Sequence, residues 1–242
     1  DIDIMATLYM FRSITLLLTL TATAGILSVV ASASSALPIV TPIEHASVLL
    51  SYPDNAGPHV YSDPVDAKGE GLFDKLPLAD VIVITHSHSD HFQPSTIFKL
   101  LKTTTKIAAP QDVGDMLITL NASIKSQISI LHNWDNVTFG AKTVHAVPMY
   151  NTGPNPHHPK GKWNGYVLEY LDTLVYLSGD TSYIPPMNTN FGFKSRFDLS
   201  FLCMNLPYTM GVEEAANATH AFRPKEVTPY HYRNADNTFS NL

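Results

Sequence analysis

Cysteine is all but missing: Cys203 is the one thiol in 242 residues. No intrachain disulfide can form, and cysteine usage says nothing of the redox compartment. Cys203 lies in the apolar run Leu199-Ser200-Phe201-Leu202-Cys203-Met204 and reads as a buried core thiol. Positive charge is scarce too. Lys and Arg number 15 against 21 Asp and Glu, a formal net charge of -6. Nucleic-acid binding rests on Lys and Arg neutralising phosphates, so no nucleic-acid partner is expected. The acidic excess favours solubility. There is no G-x-S-x-G nucleophile motif, which argues against covalent serine catalysis. Beyond residue 36 no linker, low-complexity tract or evident repeat interrupts the chain. With 45% hydrophobic residues, that part can bury the core of one ordinary domain.

What the chain does have is histidine, concentrated in one place. Thr85-His86-Ser87-His88-Ser89-Asp90-His91 puts three imidazoles and a carboxylate in one short loop. The β-branched run Ala79-Asp80-Val81-Ile82-Val83-Ile84 before it reads as a buried strand. The cluster therefore sits where a strand ends and the chain turns, a usual place for functional residues. Packing alone has no use for so many titratable groups there. Imidazole with carboxylate suits zinc first, with manganese or iron as alternatives. Alternation lets His86 and His88 grip one ion, while Asp90 and His91 lie beyond the strand, free to turn toward a second.

This H-x-H-x-D-H pattern resembles the metallo-β-lactamase superfamily of dinuclear metallohydrolases. Later segments match in order: Ala146-Val147-Pro148-Met149-Tyr150-Asn151, His158-Pro159-Lys160-Gly161, Ser178-Gly179-Asp180-Thr181, Leu206-Pro207-Tyr208-Thr209-Met210 and Pro229-Tyr230-His231-Tyr232. The resemblance runs from about Ile43 to Asn237. It is strongest to the branch with the ascorbate-phosphate lactonases and the N-acylphosphatidylethanolamine-hydrolysing phospholipase D. It implies an α+β fold, a four-layer αββα sandwich. It also implies two divalent ions, His86 and His88 serving the first and Asp90, His91 and His231 the second, with Asp180 bridging. A hydroxide between the ions would attack an ester, lactone, amide or phosphodiester. Asp90 would be the catalytic proton shuttle, and Asn151 and Tyr208 would face the substrate.

One ligand stays open. Many relatives carry a third histidine for the first ion where Asn151 stands here. His158 is the preferred replacement, because relatives with Tyr-Asn here tend to carry His-Pro-Lys-Gly. His145 on the preceding strand is the competitor, and Asn151 itself could ligate or hold a water. His45, His59, His132 and His220 read as structural or surface histidines.

The expected function is a secreted metal-dependent hydrolase acting on a small or lipid-like substrate. A phospholipase D-like phosphodiesterase is one alternative, and a binding protein that has lost a productive site is another. Residues 1–36 read as an N-terminal extension and signal peptide, and 37–242 as the domain. Arg12, the apolar stretch Ile14 to Val30 and the small residues Ala31-Ser32-Ala33-Ser34-Ser35-Ala36 have the order of an export signal. Asp1 to Ile4, before Met5, reads as non-native or as a start placed too early. Retained as an anchor, the stretch would put the protein on a membrane, since it approaches spanning length. Sequons at Asn121, Asn136 and Asn217 suit a glycoprotein. Asn237-Thr238-Phe239-Ser240 looks like the start of a helix that relatives complete, so the domain reads as cut short.

Strands are expected at Ser47 to Tyr52, His59 to Ser62, Lys106 to Ala109, Thr143 to Val147, Gly165 to Tyr170, Leu174 to Leu177 and Glu226 to Thr228. Helices are expected at Pro94 to Lys102, Gln111 to Leu120 and Val212 to Phe222, the last opening on Glu213 and Glu214 at its positive end.

Overall fold

Each half of the chain builds its own sheet. A computed structural model describes residues 37–53, 57–154 and 156–232. The expected export signal and the expected helix near Asn237 lie outside the described residues. In the first sheet the strands follow chain order: β1 (Ile39–Glu44), β2 (Ser47–Ser51), β3 (His59–Ser62), β4 (Val81–Val83), β5 (Lys106–Ala109) and β6 (Ile128–Ile130). The second sheet comprises β7 (Asn136–Phe139), β8 (Lys142–Met149), β9 (Trp163–Tyr170), β10 (Thr173–Leu177), β11 (Leu199–Cys203) and β12 (Glu226–Tyr230), again neighbours in chain order. Both sheets begin antiparallel and end parallel, from β3 to β6 and from β10 to β12. Parallel neighbours need a crossover, commonly a helix. Helix α1 (Pro94–Leu100) joins β4 to β5, α2 (Gln111–Leu120) with a 3₁₀ turn joins β5 to β6, and α3 (Val212–Phe222) joins β11 to β12.

Strand alternation sorts the core into layers. Val48, Leu50, Val60, Val81, Val83 and Ala108 share one cluster with Val144, Ala146, Tyr166 and Leu168 of the second sheet. Their neighbours Leu49, Tyr61, Ile82 and Ile107 point the other way, onto Ile97 and Leu100 of α1 and Val113 and Leu117 of α2. On the far side Tyr176 meets Phe222 of α3 edge-on, ring centres 5.8 Å apart. The result is the expected αββα sandwich.

The sheets are also tied directly beside the histidine loop. Tyr166 donates its hydroxyl to the Ile84 carbonyl at 2.9 Å, and Asn164 N–H reaches the Thr85 carbonyl at 3.2 Å. At the other edge His231 N–H bonds the His45 carbonyl at 3.2 Å. Strands β1, β6, β7 and β11 were not expected. β1 and β7 are sheet edges, and each carries residues that weaken a strand pattern: Pro42 in β1, tolerated only at an edge, and the exposed Asn136 in β7. β11 is buried along its whole length, and such a run cannot be told from a buried helix by periodicity. Helix α1 stops at Leu100, two residues early, because Leu101 turns extended. Cys203 is buried and free, as read.

Candidate metal centre

The loop after β4 is wound back on itself. His91 and Phe92 N–H both bond the His88 carbonyl, at 3.0 and 2.8 Å. This brings Asp90 and His91 beneath His86. Ser87 is pinned to Asp112 Oδ2 of α2 at 2.8 Å, and Trp163 Nε1 donates to the same oxygen at 2.9 Å.

Two groups of donors result. His86, His88 and His158 form one, their ligand atoms all within 4.8 Å of one another. Their ring centres are 4.7, 4.9 and 4.9 Å apart. Two imidazoles sharing one tetrahedral ion at about 2.1 Å keep their ring centres about 5 Å apart. Asp90, His91 and His231 form the other group, with His45 beside them. Here the His91 and His231 ring centres are 4.9 Å apart. Asp180 lies between the groups. Its Oδ2 is 3.3 Å from His158 Nε2 and 3.2 Å from His231 Nε2, and its Oδ1 is 3.3 Å from His91 Nε2.

Acceptors behind the rings set which nitrogen faces inward. Asn151 Oδ1 accepts from His158 Nδ1 at 2.8 Å and from His158 N at 3.0 Å. Asp63 Oδ2 accepts from His91 Nδ1 at 2.8 Å. Thr85 Oγ1 donates to Asp63 and so accepts from His86 Nδ1 at 2.9 Å. Each Nδ1 is thereby the nitrogen engaged behind the ring, and each Nε2 faces Asp180. The close approaches to Asp180 lack hydrogen-bond geometry. Nε2 of His86, His91, His158 and His231 and Oδ1 of Asp180 are all buried without a hydrogen-bond partner. One such group costs about 1–3 kcal/mol. Five converging on one point fit a site built for cations.

The electrostatics agree. Burial holds His86 well below the ordinary imidazole range, helped by the adjacent His91. It is therefore neutral near pH 7, as a ligand must be. Burial alone would raise Asp180, but His231 and His91 keep it well below the usual carboxylate range. Burial would likewise lower His91, but Asp180 and Asp63 overcome it and hold His91 well above its ordinary value. Asp90 differs in access. Its side chain is 41% exposed, whereas that of Asp180 is 4% exposed. The centre is thus open to solvent on the Asp90 and His88 side.

All seven expected ligands, His86, His88, Asp90, His91, His158, Asp180 and His231, converge. His145 does not join them. Its Nε2 is committed to Glu169 at 2.9 Å and its ring meets Phe193. Asn151 does not point its oxygen at the donors, because that oxygen accepts from His158 N and Nδ1, and its amide nitrogen donates to the Tyr208 carbonyl at 3.0 Å. Tyr208 is 37% exposed, its ring beside His157 at 5.0 Å. His59, on Ser51, and the exposed His132 are structural or surface residues, as read. His45 is structural too, but it lies beside the second donor group. Its side chain is 5% exposed and its Nε2 is 3.3 Å from Asp90 Oδ2. Asp63 was not among the residues singled out in the sequence. An aspartate at the end of a strand beside β4 was the available signal. For His45 no spacing pointed to the centre.

Residues 40–231 match the family described as Beta-lactamase superfamily domain. A UPF0173 metal-dependent hydrolase of Thermococcus onnurineus is 30% identical over 154 residues, covering 64% of this chain and 67% of that protein. The alignment therefore spans about two thirds of that relative's length. The crystal structure of a candidate metal-dependent hydrolase from Parabacteroides distasonis is 37% identical with a TM-score of 0.69, covering 80% of this chain and 81% of that one. CmlA, a diiron beta-hydroxylase from Streptomyces venezuelae, is 19% identical with a TM-score of 0.64, covering 81% of this chain and 45% of its own. At that identity it shows the fold alone, and fold does not fix the reaction.

Proposed function

The chain belongs to the β-lactamase superfamily, and from that premise we propose that it is a metal-dependent hydrolase with two divalent ions, zinc first. The observation that carries this reading is the position of Asp180, with oxygens within 3.3 Å of imidazoles from both donor groups. His86, His88 and His158 would hold one ion and Asp90, His91 and His231 the other, with Asp180 shared. When bound, such a pair supplies Lewis acidity and makes a water acidic enough to ionise near neutral pH.

The chain's own groups do the rest. Asp180 keeps its charge in a buried place because His231 and His91 surround it. Asp63 and Asn151 hold the rings of His91 and His158 with Nε2 inward. Asp90 faces solvent at the mouth of the centre; its low pKa makes it a weak base, so a proton it took there would pass readily to a leaving group. Burial works against its charge, but the close approach of His231 and His45, at 3.5 and 3.3 Å from its Oδ2, keeps its pKa well below the usual carboxylate range. Tyr208 and the loop from Gly153 to Lys162 border the first donor group and would recognise the substrate. That substrate is a small or lipid-like ester, lactone or phosphodiester. Secretion is proposed on the N-terminal pattern alone, which lies outside the described residues.

The test is metal analysis of purified protein, followed by a panel of lactones, phosphodiesters and thioesters. Two ions per chain and turnover abolished by chelation are expected. Two iron atoms with no hydrolysis would redirect the reading toward oxygen chemistry, and two ions with no reaction would favour a binding protein.

A further inference from the structure

His45 belongs to the centre without belonging to its expected ligand set. It sits in the turn between β1 and β2 at φ +53°, a left-handed conformation in which a bulky residue is uncommon. Its Nε2 is 3.3 Å from Asp90 Oδ2. Its carbonyl accepts the His231 N–H at 3.2 Å, and its ring centre is 3.7 Å from that of His231 at 40°. One residue of the first sheet thus touches two donors of the second group, one from its own sheet and one from the other.

Ring spacing decides between ligand and support. Imidazoles sharing one tetrahedral ion stand about 5 Å apart. The His91–His231 pair, at 4.9 Å, meets that; the His45–His231 pair, at 3.7 Å, is a packed ring contact instead. His45 Nε2 is nevertheless within hydrogen-bond reach of the more exposed ligand, Asp90. That carboxylate is 41% exposed, so packing restrains it less than any buried donor.

We propose that His45 is a positioning residue of the second metal site: its Nε2–H holds Asp90, and its ring and carbonyl hold His231, so both face one ion. The proposal rests on the two-ion reading above. The hydrogen bond aims one Asp90 oxygen at the donors, and the backbone bond fixes the turn that delivers His231, itself left-handed at φ +53°. The β1–β2 hairpin thereby sets the geometry of a site otherwise shared by the β4 loop and β12.

Titration of the metal-free full chain with Co²⁺, followed by its visible spectrum, tests this in three proteins. His45→Asn suits the left-handed turn but is too short to reach Asp90. His45→Gln places an amide N–H near the former Nε2. Wild type should take up two equivalents. His45→Asn should bind the first as wild type does and the second about 10–100-fold more weakly, the usual effect of losing a group that orients a ligand. His45→Gln should recover most of that loss. The melting temperature of the metal-free variants should stay near wild type, which separates positioning from folding. Unchanged second-site affinity in His45→Asn would overturn the proposal. So would a His45→Gln as weak as His45→Asn, which would make His45 a ligand or a mere ring contact, and so would a variant that loses both ions together with its fold. A wild type that never takes a second equivalent would instead sink the two-ion reading, and this proposal with it.

Discussion

Asp63 Oδ2 stands 2.8 Å from His91 Nδ1, with both side chains fully buried. The same carboxylate accepts from Thr85 N and Thr85 Oγ1, each at 2.7 Å. It thus binds the start of the histidine loop to its last member and sets which nitrogen of His91 faces the centre. Asp63→Ala would leave three buried donors without an acceptor. Breaking a buried charged pair in this way costs about 3–5 kcal/mol. Urea unfolding of the metal-free protein should show that loss. Where the variant folds, metal affinity should fall about 10–100-fold. Wild-type stability and metal binding in Asp63→Ala would refute the role.

Asp180 is the link between the donor groups. Asp180→Asn keeps the shape but removes the charge that the two proposed ions would share. It should lose at least one ion and lower kcat by about 100-fold or more. Asp180→Ala should do at least as much. Elemental analysis beside kinetics on any substrate the panel identifies would decide, and two ions with full activity would rule out bridging.

The first ion should depend on His158 directly and on Asn151 indirectly. His158→Ala is expected to weaken the first ion while the Asp90, His91 and His231 group stays occupied. Asn151→Ala should weaken the same ion by about tenfold, because the ring keeps its place but loses the acceptor that fixes its tautomer. His145→Ala should change neither occupancy, since its partner is Glu169. A metal-binding loss in His145→Ala larger than in His158→Ala would reverse the assignment.

Gly179 has no room for a side chain. It lies at φ +58°, and an added Cβ would come within 2.4 Å of Met149 Sδ and 3.1 Å of Thr85 Cβ. The left-handed backbone costs a residue with a Cβ about 1–2 kcal/mol, and the overpacking adds about 1–3 kcal/mol. Gly179→Ala should therefore lower the urea midpoint with an unchanged m-value. It should also weaken metal binding, because Asp180 is the next residue. A midpoint within error of wild type would count against the geometry.

The tyrosines predict alkaline behaviour. Burial pushes Tyr61 up to about 12, and it also raises Tyr52, Tyr166, Tyr176 and Tyr230. Each folded value lies above the unfolded value of about 10. Their contribution to stability is therefore complete below about pH 10 and is lost as pH rises through the folded values. Tyrosinate absorbance should show the exposed tyrosines ionising first and these five only as the protein unfolds. Smooth ionisation of all 11 tyrosines near pH 10, with the fold retained, would contradict the burial.

Much of the layout was legible because it is local. Gln111–Leu120 and Val212–Phe222 carry complete helical patterns, and Lys106–Ala109 is a short β-branched and apolar run between polar flanks. β1 and β7 were missed because an edge strand needs only one partner and tolerates Pro42 or Asn136. The histidine loop was legible because its ligands lie within six residues of one another.

By itself the sequence determined the chemistry of the centre, since the His86 to His91 spacing concentrates imidazole and carboxylate at one strand end whatever else the chain does. It also ordered the later donors Asp180 and His231, each at the end of its own strand. Only the tertiary structure around β8 and β9 decided between His158 and His145. Both were chemically able to ligate, but β8 turns His145 to Glu169, while the Asn151 amide turns His158 inward. Packing also brought in Asp63 and His45. Their partners lie far along the chain, within the first sheet for Asp63 and across to the second for the His45–His231 contact, and such long-range contacts leave no period or spacing in the sequence.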